Sequence, residues 1–177
     1  MDKKMYVIPF RGLKEKKHQF GYEISNSFFE VYQYDEILDA DVQIQVEFVK
    51  KSTLLELNII AKGNVKVACD TTNELYFQTI KGDLNLVVKF GETFNNESED
   101  VLILPHEAYE IDIAPFIYEV IVLALPSKKV HPGVLDGTLK SDILDKLKEL
   151  QPKEIQNNNS IDPRWEKLKG LLTDKKV

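Results

Sequence analysis

A chain of 177 residues that is 43% hydrophobic and 29% charged holds enough apolar material for one domain with a real core and a solvated surface. Its net charge of −6 argues against a nucleic-acid binder of the plain basic type, whose Lys and Arg must neutralise phosphates. A single cysteine, Cys69, excludes an intramolecular disulfide framework and suits a reducing cytosol, so a cytoplasmic protein is expected.

The charge is unevenly spread. Residues 1–126 hold 12 Lys/Arg against 21 Asp/Glu, whereas residues 127–177 hold 11 against 8. The first seventeen residues are also basic, with Lys3, Lys4, Arg11, Lys14, Lys16 and Lys17 against Asp2 and Glu15. An acidic body with basic ends is compatible with RNA or an acidic partner, and equally with plain solubility. The N-terminal stretch MDKKMYVIPFRGLKEKK lacks the apolar region of a secretory signal. The most apolar run, FIYEVIVLALP, is about half the length that crosses a bilayer and contains Glu119. No membrane partner is expected.

In chain order, MYVIPF and HQFGYEIS read as edge strands, since Pro9 is poorly placed anywhere more central. In DVQIQVEFVK, Val42, Ile44, Val46 and Phe48 alternate with Gln43, Gln45 and Glu47, which is the period of a half-buried strand. The alternation continues through Leu55, Leu57 and Ile59, and Gly63-Asn64 then marks a turn or bulge before Val65 and Val67. After the turn-rich DTTN, the segment ELYFQTIKGDLNLVVKFG reads as two short strands divided at Gly82-Asp83 by a hairpin turn. Strands joined by such short connections are expected to be antiparallel. ETFNNESED, residues 92–100, reads as an acidic solvated loop without calcium-loop spacing.

The pattern changes at YEIDIAPFIYEVIVLALP. Asp112 reads as an N-cap with Pro115 in the first turn, so a helix buried against the sheet is expected, with a strand as the second choice because of its β-branched residues. Pro126 stops it. SKKVHPGVLDGTLK reads as a loop, and SDILDKLKEL as a helix capped by Ser141, with Ile143, Leu144, Leu147 and Leu150 at helical spacing. Residues 152–161 read as a flexible linker between a globular domain, 1–151, and a C-terminal docking helix, 162–177. Asp162 and Pro163 start that helix, and Trp165, Leu168, Leu171 and Leu172 form one apolar stripe on it. About eleven residues are marginal as a free helix, so this stripe is expected to dock on its own domain or on a partner. The fold class is α+β: an antiparallel sheet or partial barrel with one buried helix and two C-terminal helices.

Chemistry is hard to place. His18, His106 and His131 lack metal-ligand spacing, and one cysteine cannot build a Cys/His zinc site. Cys69 has no Cys-x-x-Cys partner and no helix N-terminus to lower its pKa. No phosphate-cradling glycine loop or nucleophile elbow is present. The sequence therefore predicts a protein that is not an enzyme, with no cofactor, no metal and no small-molecule substrate.

Three blocks carry a resemblance: GNVKVACDTTNELY, then EIDIAPFIYEVIVLALPSKKVHPG, then DPRWEKLKGLL. Together they resemble the YceD-like family of bacterial and plastid proteins, with Asp112, Glu119, Pro126, His131, Asp162, Pro163 and Arg164 matching its pattern. Many relatives carry Cys-x-x-Cys where this chain has Cys69-Asp70-Thr71-Thr72, so no metal or redox role is carried over. The resemblance implies a non-enzymatic part in ribosome assembly that supports accumulation of large-subunit ribosomal RNA. The expected partner is a ribosomal protein or the precursor RNA, the latter contacted through Lys14, Lys16, Lys17, Lys128, Lys129 and Arg164. The other reading is an interaction module unrelated to ribosomes, docking by its C-terminal helix.

Overall fold

The computed structural model describes residues 3–98 and 100–150. The chain divides into two compact units, Met1–Lys140 and Ser141–Val177. The expected linker at 152–161 and the helix at 162–177, with Arg164, Trp165, Leu168, Leu171 and Leu172, lie outside the described residues.

In the first unit a short 3-10 turn, Lys3–Tyr6, leads into β1 (Val7–Ile8), β2 (Lys17–Ile24), α1 (Asn26–Val31), β3 (Asp39–Lys50), β4 (Leu54–Ala68), β5 (Leu75–Gly91), β6 (Asn95–Ser98), β7 (Val101–Pro105), β8 (Ile111–Asp112), α2 (Ala114–Leu123) and α3 (Pro132–Leu135). Six strands form one sheet in the order β2-β3-β4-β5-β7-β6, and β1 pairs with β8 in a second, two-stranded sheet. This is the expected α+β class, and among the described residues the sheet is open and bounded by β2 and β6.

The period-two pattern does what it predicts. Val42, Ile44, Val46 and Phe48 of β3 are buried, as are Leu55, Leu57, Ile59, Ala61, Val65 and Val67 of β4. These residues share the face that the helices cover. The other face carries the amides and charges. There Asn58 donates to Asn85 at 2.6 Å and Thr79 to Asn64 at 2.8 Å across neighbouring strands.

Neither the turn or bulge expected at Gly63-Asn64 nor the hairpin turn expected at Gly82-Asp83 is present. β4 runs through Gly63 and β5 through Gly82 with their antiparallel registers uninterrupted. Both are sites of close approach instead. A Cβ on Gly63 would lie 2.2 Å from the Asp41 carbonyl oxygen, and one on Gly82 would lie 3.0 Å from both the Val120 oxygen and the Ala124 Cβ. The hairpin turn is Cys69–Glu74, where Asn73 takes the left-handed conformation at φ 59°. Two further differences concern the segment after β5. The acidic stretch 92–100 contains β6, and β7 pairs parallel to β5 while β6 pairs antiparallel to β7. α1, with Phe28 and Phe29 buried, had no periodic signal long enough to announce it.

The apolar segment after β8 is a helix, α2, and buries Ile117, Val120 and Ile121. Asp112 precedes its N-cap residue, Ile113, and its carboxylate accepts from the Ala114 N–H at 2.9 Å, so it caps the helix from one position earlier than expected. The Ile113 N–H donates to the Tyr6 carbonyl at 2.9 Å, tying the N-terminal segment to the helix start. Farther down, the Lys50 ammonium donates to the carbonyls of Phe10, Arg11 and Leu13 at 3.0, 3.3 and 2.8 Å. It satisfies a loop that has no ladder of its own.

In the second unit the described element is α4 (Asp142–Leu150), and the Ser141 hydroxyl accepts from the Ile143 N–H at 3.4 Å, as its capping role predicts. Among the described residues no helix is long and apolar enough to cross a membrane.

The two kinds of glycine separate in a stability measurement. Gly63→Ala is expected to cost at least about 3 kcal/mol, the top of the usual overpacking range, because backbone rather than a flexible side chain blocks the new methyl. Gly12→Ala, with nothing within 4 Å, is expected to leave the urea midpoint unchanged. Equal midpoints for the two variants would refute the close-approach account.

Candidate functional site

Two regions gather polar and aromatic residues at the margin of the core. The first is a knot at the end of the sheet where β4 turns into β5. Backbone bonds join it to a segment about sixty residues away. The Asp70 N–H donates to the Lys129 carbonyl at 2.8 Å, and the Lys129 N–H returns a bond to the Asp70 carboxylate at 2.6 Å. The Lys129 ammonium lies 2.7 Å from the Glu36 carboxylate and 3.8 Å from that of Asp70, with 19% of its side chain exposed.

Beside it the His131 N–H donates to the Cys69 sulfur at 3.3 Å. The region read as loop contains the one-turn helix α3, with His131 at its N-cap. The imidazole Nδ1 accepts from the Gly133 N–H at 2.9 Å, so the neutral ring carries its proton on Nε2. That ring also meets Tyr76 edge-on at 5.3 Å.

The cysteine is where the sequence misled. Burial pushes its thiol up, but hydrogen bonds from the His131 N–H, the Thr72 hydroxyl and the Thr71 and Thr72 N–H groups outweigh burial and hold it down at about 7. Three of these donors belong to the turn itself and the fourth is the N-cap residue of the one-turn α3, which is far off in sequence and was invisible before folding. The sulfur remains buried. Its contact with His131 is to the backbone, so the pair is not a nucleophile with its base. Among the described residues no group of three or more His, Cys, Asp or Glu side chains is placed to hold a metal ion.

The second region is the helix layer. Tyr32, just past α1, stacks on Tyr118 of α2 with centroids 4.3 Å apart and planes 11° apart, and Tyr34 meets Tyr118 edge-on at 5.8 Å. Burial, then the nearby Asp112 carboxylate, push the Tyr32 phenol up. Asp112 is exposed near the Tyr32 ring, and Glu30, Asp35 and Glu119, also exposed, lie one or two residues from these tyrosines in sequence. One signal of this surface was legible. Residues 18–49 contain no Lys or Arg and seven carboxylates, and residues 90–127 contain none and eight.

The lysines singled out from sequence do not come together. Lys17 opens β2 opposite Val49, and its ammonium is paired with Glu47 at 2.6 Å. Lys14 and Lys16 lie just before it and are exposed; the Lys14 carbonyl accepts from His18 Nε2 at 2.9 Å. Lys129 and the exposed Lys128 are near the start of β3, the far end of a 12-residue strand that is roughly 40 Å long. The structure instead sets Lys62 opposite Lys81 and Lys66 opposite Phe77 on the outer sheet face, with the Lys66 ammonium 5.9 Å from the Phe77 ring centre.

Because the folded thiol of Cys69 titrates at about 7 and an ordinary one at 9.0, the unfolded chain holds the extra proton between these values. Stability is therefore expected to rise from about pH 7 to pH 9, and this contribution is lost as the pH falls through 7. Urea midpoints across that range, for the parent chain and Cys69→Ser, check it. A rise that persists undiminished in the variant would assign it to another group.

No curated protein and no solved structure matches the chain. One family does: the family described as large ribosomal RNA subunit accumulation protein YceD matches residues 57–172, from β4 through the apolar helix and beyond the described residues. That span is well over half of the sequence, and it covers the Cys69–His131 knot and α2. The chain belongs to the YceD family, which links it to accumulation of the large-subunit ribosomal RNA.

Proposed function

We propose that this protein is a non-enzymatic, cytoplasmic assembly factor of the large ribosomal subunit that holds a basic ribosomal protein on its helix face. The observation that carries this reading is the helix layer itself, in which the tyrosines of α1's end and α2 stand among carboxylates, within two stretches that contain no lysine or arginine. Ribosomal proteins present Lys and Arg to RNA. A carboxylate surface can neutralise such side chains before RNA does, and a tyrosine face accepts them by cation–π contact. The binding role, with no bond made or broken, is supported by the knot, where Cys69 and His131 are spent on backbone bonds.

The second reading, direct binding of precursor RNA, is favoured by Lys66 beside the exposed Phe77 and by the Lys62–Lys81 pair about 13 Å farther along the outer sheet face. An exposed aromatic ring with cations along the same face is the general requirement for single-stranded RNA. Docking by the C-terminal stripe at Trp165 concerns residues beyond those described.

The two readings separate in one titration series. Purified large-subunit ribosomal proteins and precursor RNA fragments are each titrated against the parent chain, the double variant Glu30→Lys/Glu119→Lys and the double variant Lys62→Glu/Lys81→Glu. Binding of a ribosomal protein that weakens about tenfold in the first variant, equal to about 1.4 kcal/mol, and stays unchanged in the second is the expected result. RNA binding lost only in the second variant, with no ribosomal protein bound by the parent chain, would replace the first reading with the second.

A further inference from the structure

We propose that β2 pairs antiparallel with β2 of a second copy of this chain, centred on Phe20, to form a homodimer through the sheet edge. Among the described residues β2 is terminal in the strand order and pairs with β3 alone, over eight residues without a break in register. The direction of its free hydrogen-bonding groups can be worked out. The Lys50 N–H donates to the Lys16 carbonyl at 3.2 Å, and backbone groups alternate sides along a strand. Lys16, His18, Phe20 and Tyr22 therefore bond toward β3, while Lys17, Gln19, Gly21 and Glu23 aim their N–H and C=O groups away from the sheet. Four such residues in each copy provide roughly eight backbone hydrogen bonds.

Side chains select the register. With Phe20 opposite Phe20 of the second copy, Lys17 faces its Glu23, His18 its Tyr22, and Gln19 its Gly21. Directly opposed residues share a face, so two Lys–Glu pairs form on the outer surface. The half-buried Phe20, His18 and Tyr22 meet their counterparts on the core side. The outward-bonding residues also coincide in this register, which they must for a ladder to close. Moving the centre to Gln19 or Gly21 keeps the ladder but leaves both Lys–Glu pairs unmade, and a one-residue slip sets core-side residues against outer ones. Lys17 already bonds Glu47 on the same face, so in the dimer it stands between two carboxylates. Gly21 raises no obstacle, since a Cβ there would have only the Ile44 carbonyl at 4.0 Å. A single strand pair is a small interface, so the association is micromolar rather than nanomolar.

Sedimentation equilibrium of the full chain tests this. The parent chain is expected to be a concentration-dependent dimer. Lys17→Glu and Glu23→Lys, each alone, set like charges opposite each other twice and are expected to weaken self-association at least about tenfold. Mixed in equal amounts, the two variants restore both pairs and are expected to dimerise as the parent does. Gly21→Pro removes an outward N–H that β3 does not use and is expected to abolish the dimer, with circular dichroism confirming that the fold is kept. A parent chain that stays monomeric up to about 1 mM, a dimer indifferent to Gly21→Pro, or a mixture no more associated than either variant alone would each overturn the proposal.

Discussion

α2 crosses the middle of the sheet where β4 and β5 pair, and it can do so because Gly82 presents no side chain to it. The Val120 carbonyl and the Ala124 methyl are both 3.0 Å from the place a Cβ would occupy. Any side chain there would lift the helix and open the contacts of Ile117, Val120 and Ile121, each of which is buried. Much else follows from that one seat. The start of α2 receives the N-terminal segment through the Ile113–Tyr6 bond and the pairing of β1 with β8. Its exposed side meets α1's end through the Tyr118–Tyr32 stack. The helix layer is thus one assembly referred to a single glycine.

Segregation of charge concerns the helix layer, which lies in the two lysine-free stretches, whereas the outer sheet face carries both signs, with Lys62, Lys66, Lys81 and Lys89 beside Glu47, Glu56 and Asp83. Stability does not require this arrangement. Exposed ion pairs contribute about 0–1 kcal/mol each, so lysines scattered among Glu30, Asp35 and Glu119 would have changed the fold little. What segregation does change is the field outside the molecule, which reaches about 8–10 Å at moderate salt and acts on a charged partner before contact. A surface that lacks cations over two such long runs is thus better explained by what it meets than by what it stabilises.

How much was legible depended on whether the signal was local. Alternation along Val42–Phe48 states its own geometry, because period two is a property of a strand and needs no neighbour. Asp112 and Ser141 marked helix starts through bonds that reach only two residues, and Pro115 through its fixed φ and missing donor. Glycine carries no such information. Gly63 and Gly82 had the surroundings of turn residues, and only the approach of Asp41 or Val120 distinguishes a crowded strand from a turn. The parallel pairing of β7 with β5 was hidden because a four-residue strand, β6, supplies the reversal within a segment whose composition reads as loop. The Cys69 environment was the least accessible of all, since its principal donor is 62 residues away in sequence.

That last case shows how a lone cysteine is held. Three residues after Cys69 stands Thr72, whose hydroxyl donates to the sulfur. A hydroxyl and three backbone N–H groups directed at one sulfur favour a negative charge there without any second thiolate. The same donors fix the turn, because each must hold its orientation to reach the sulfur. The neighbouring ammonium of Lys129 answers a different need. Set between Glu36 and Asp70 with only a fifth of its side chain exposed, it neutralises two neighbouring carboxylates, one of which, Asp70, also bonds its backbone. Removing Glu36 or Asp70 would leave a half-buried cation short of a partner, a larger loss than breaking an ordinary surface pair. Lys129 is therefore accounted for within the fold, and a cation so engaged is a poor candidate for gripping phosphate.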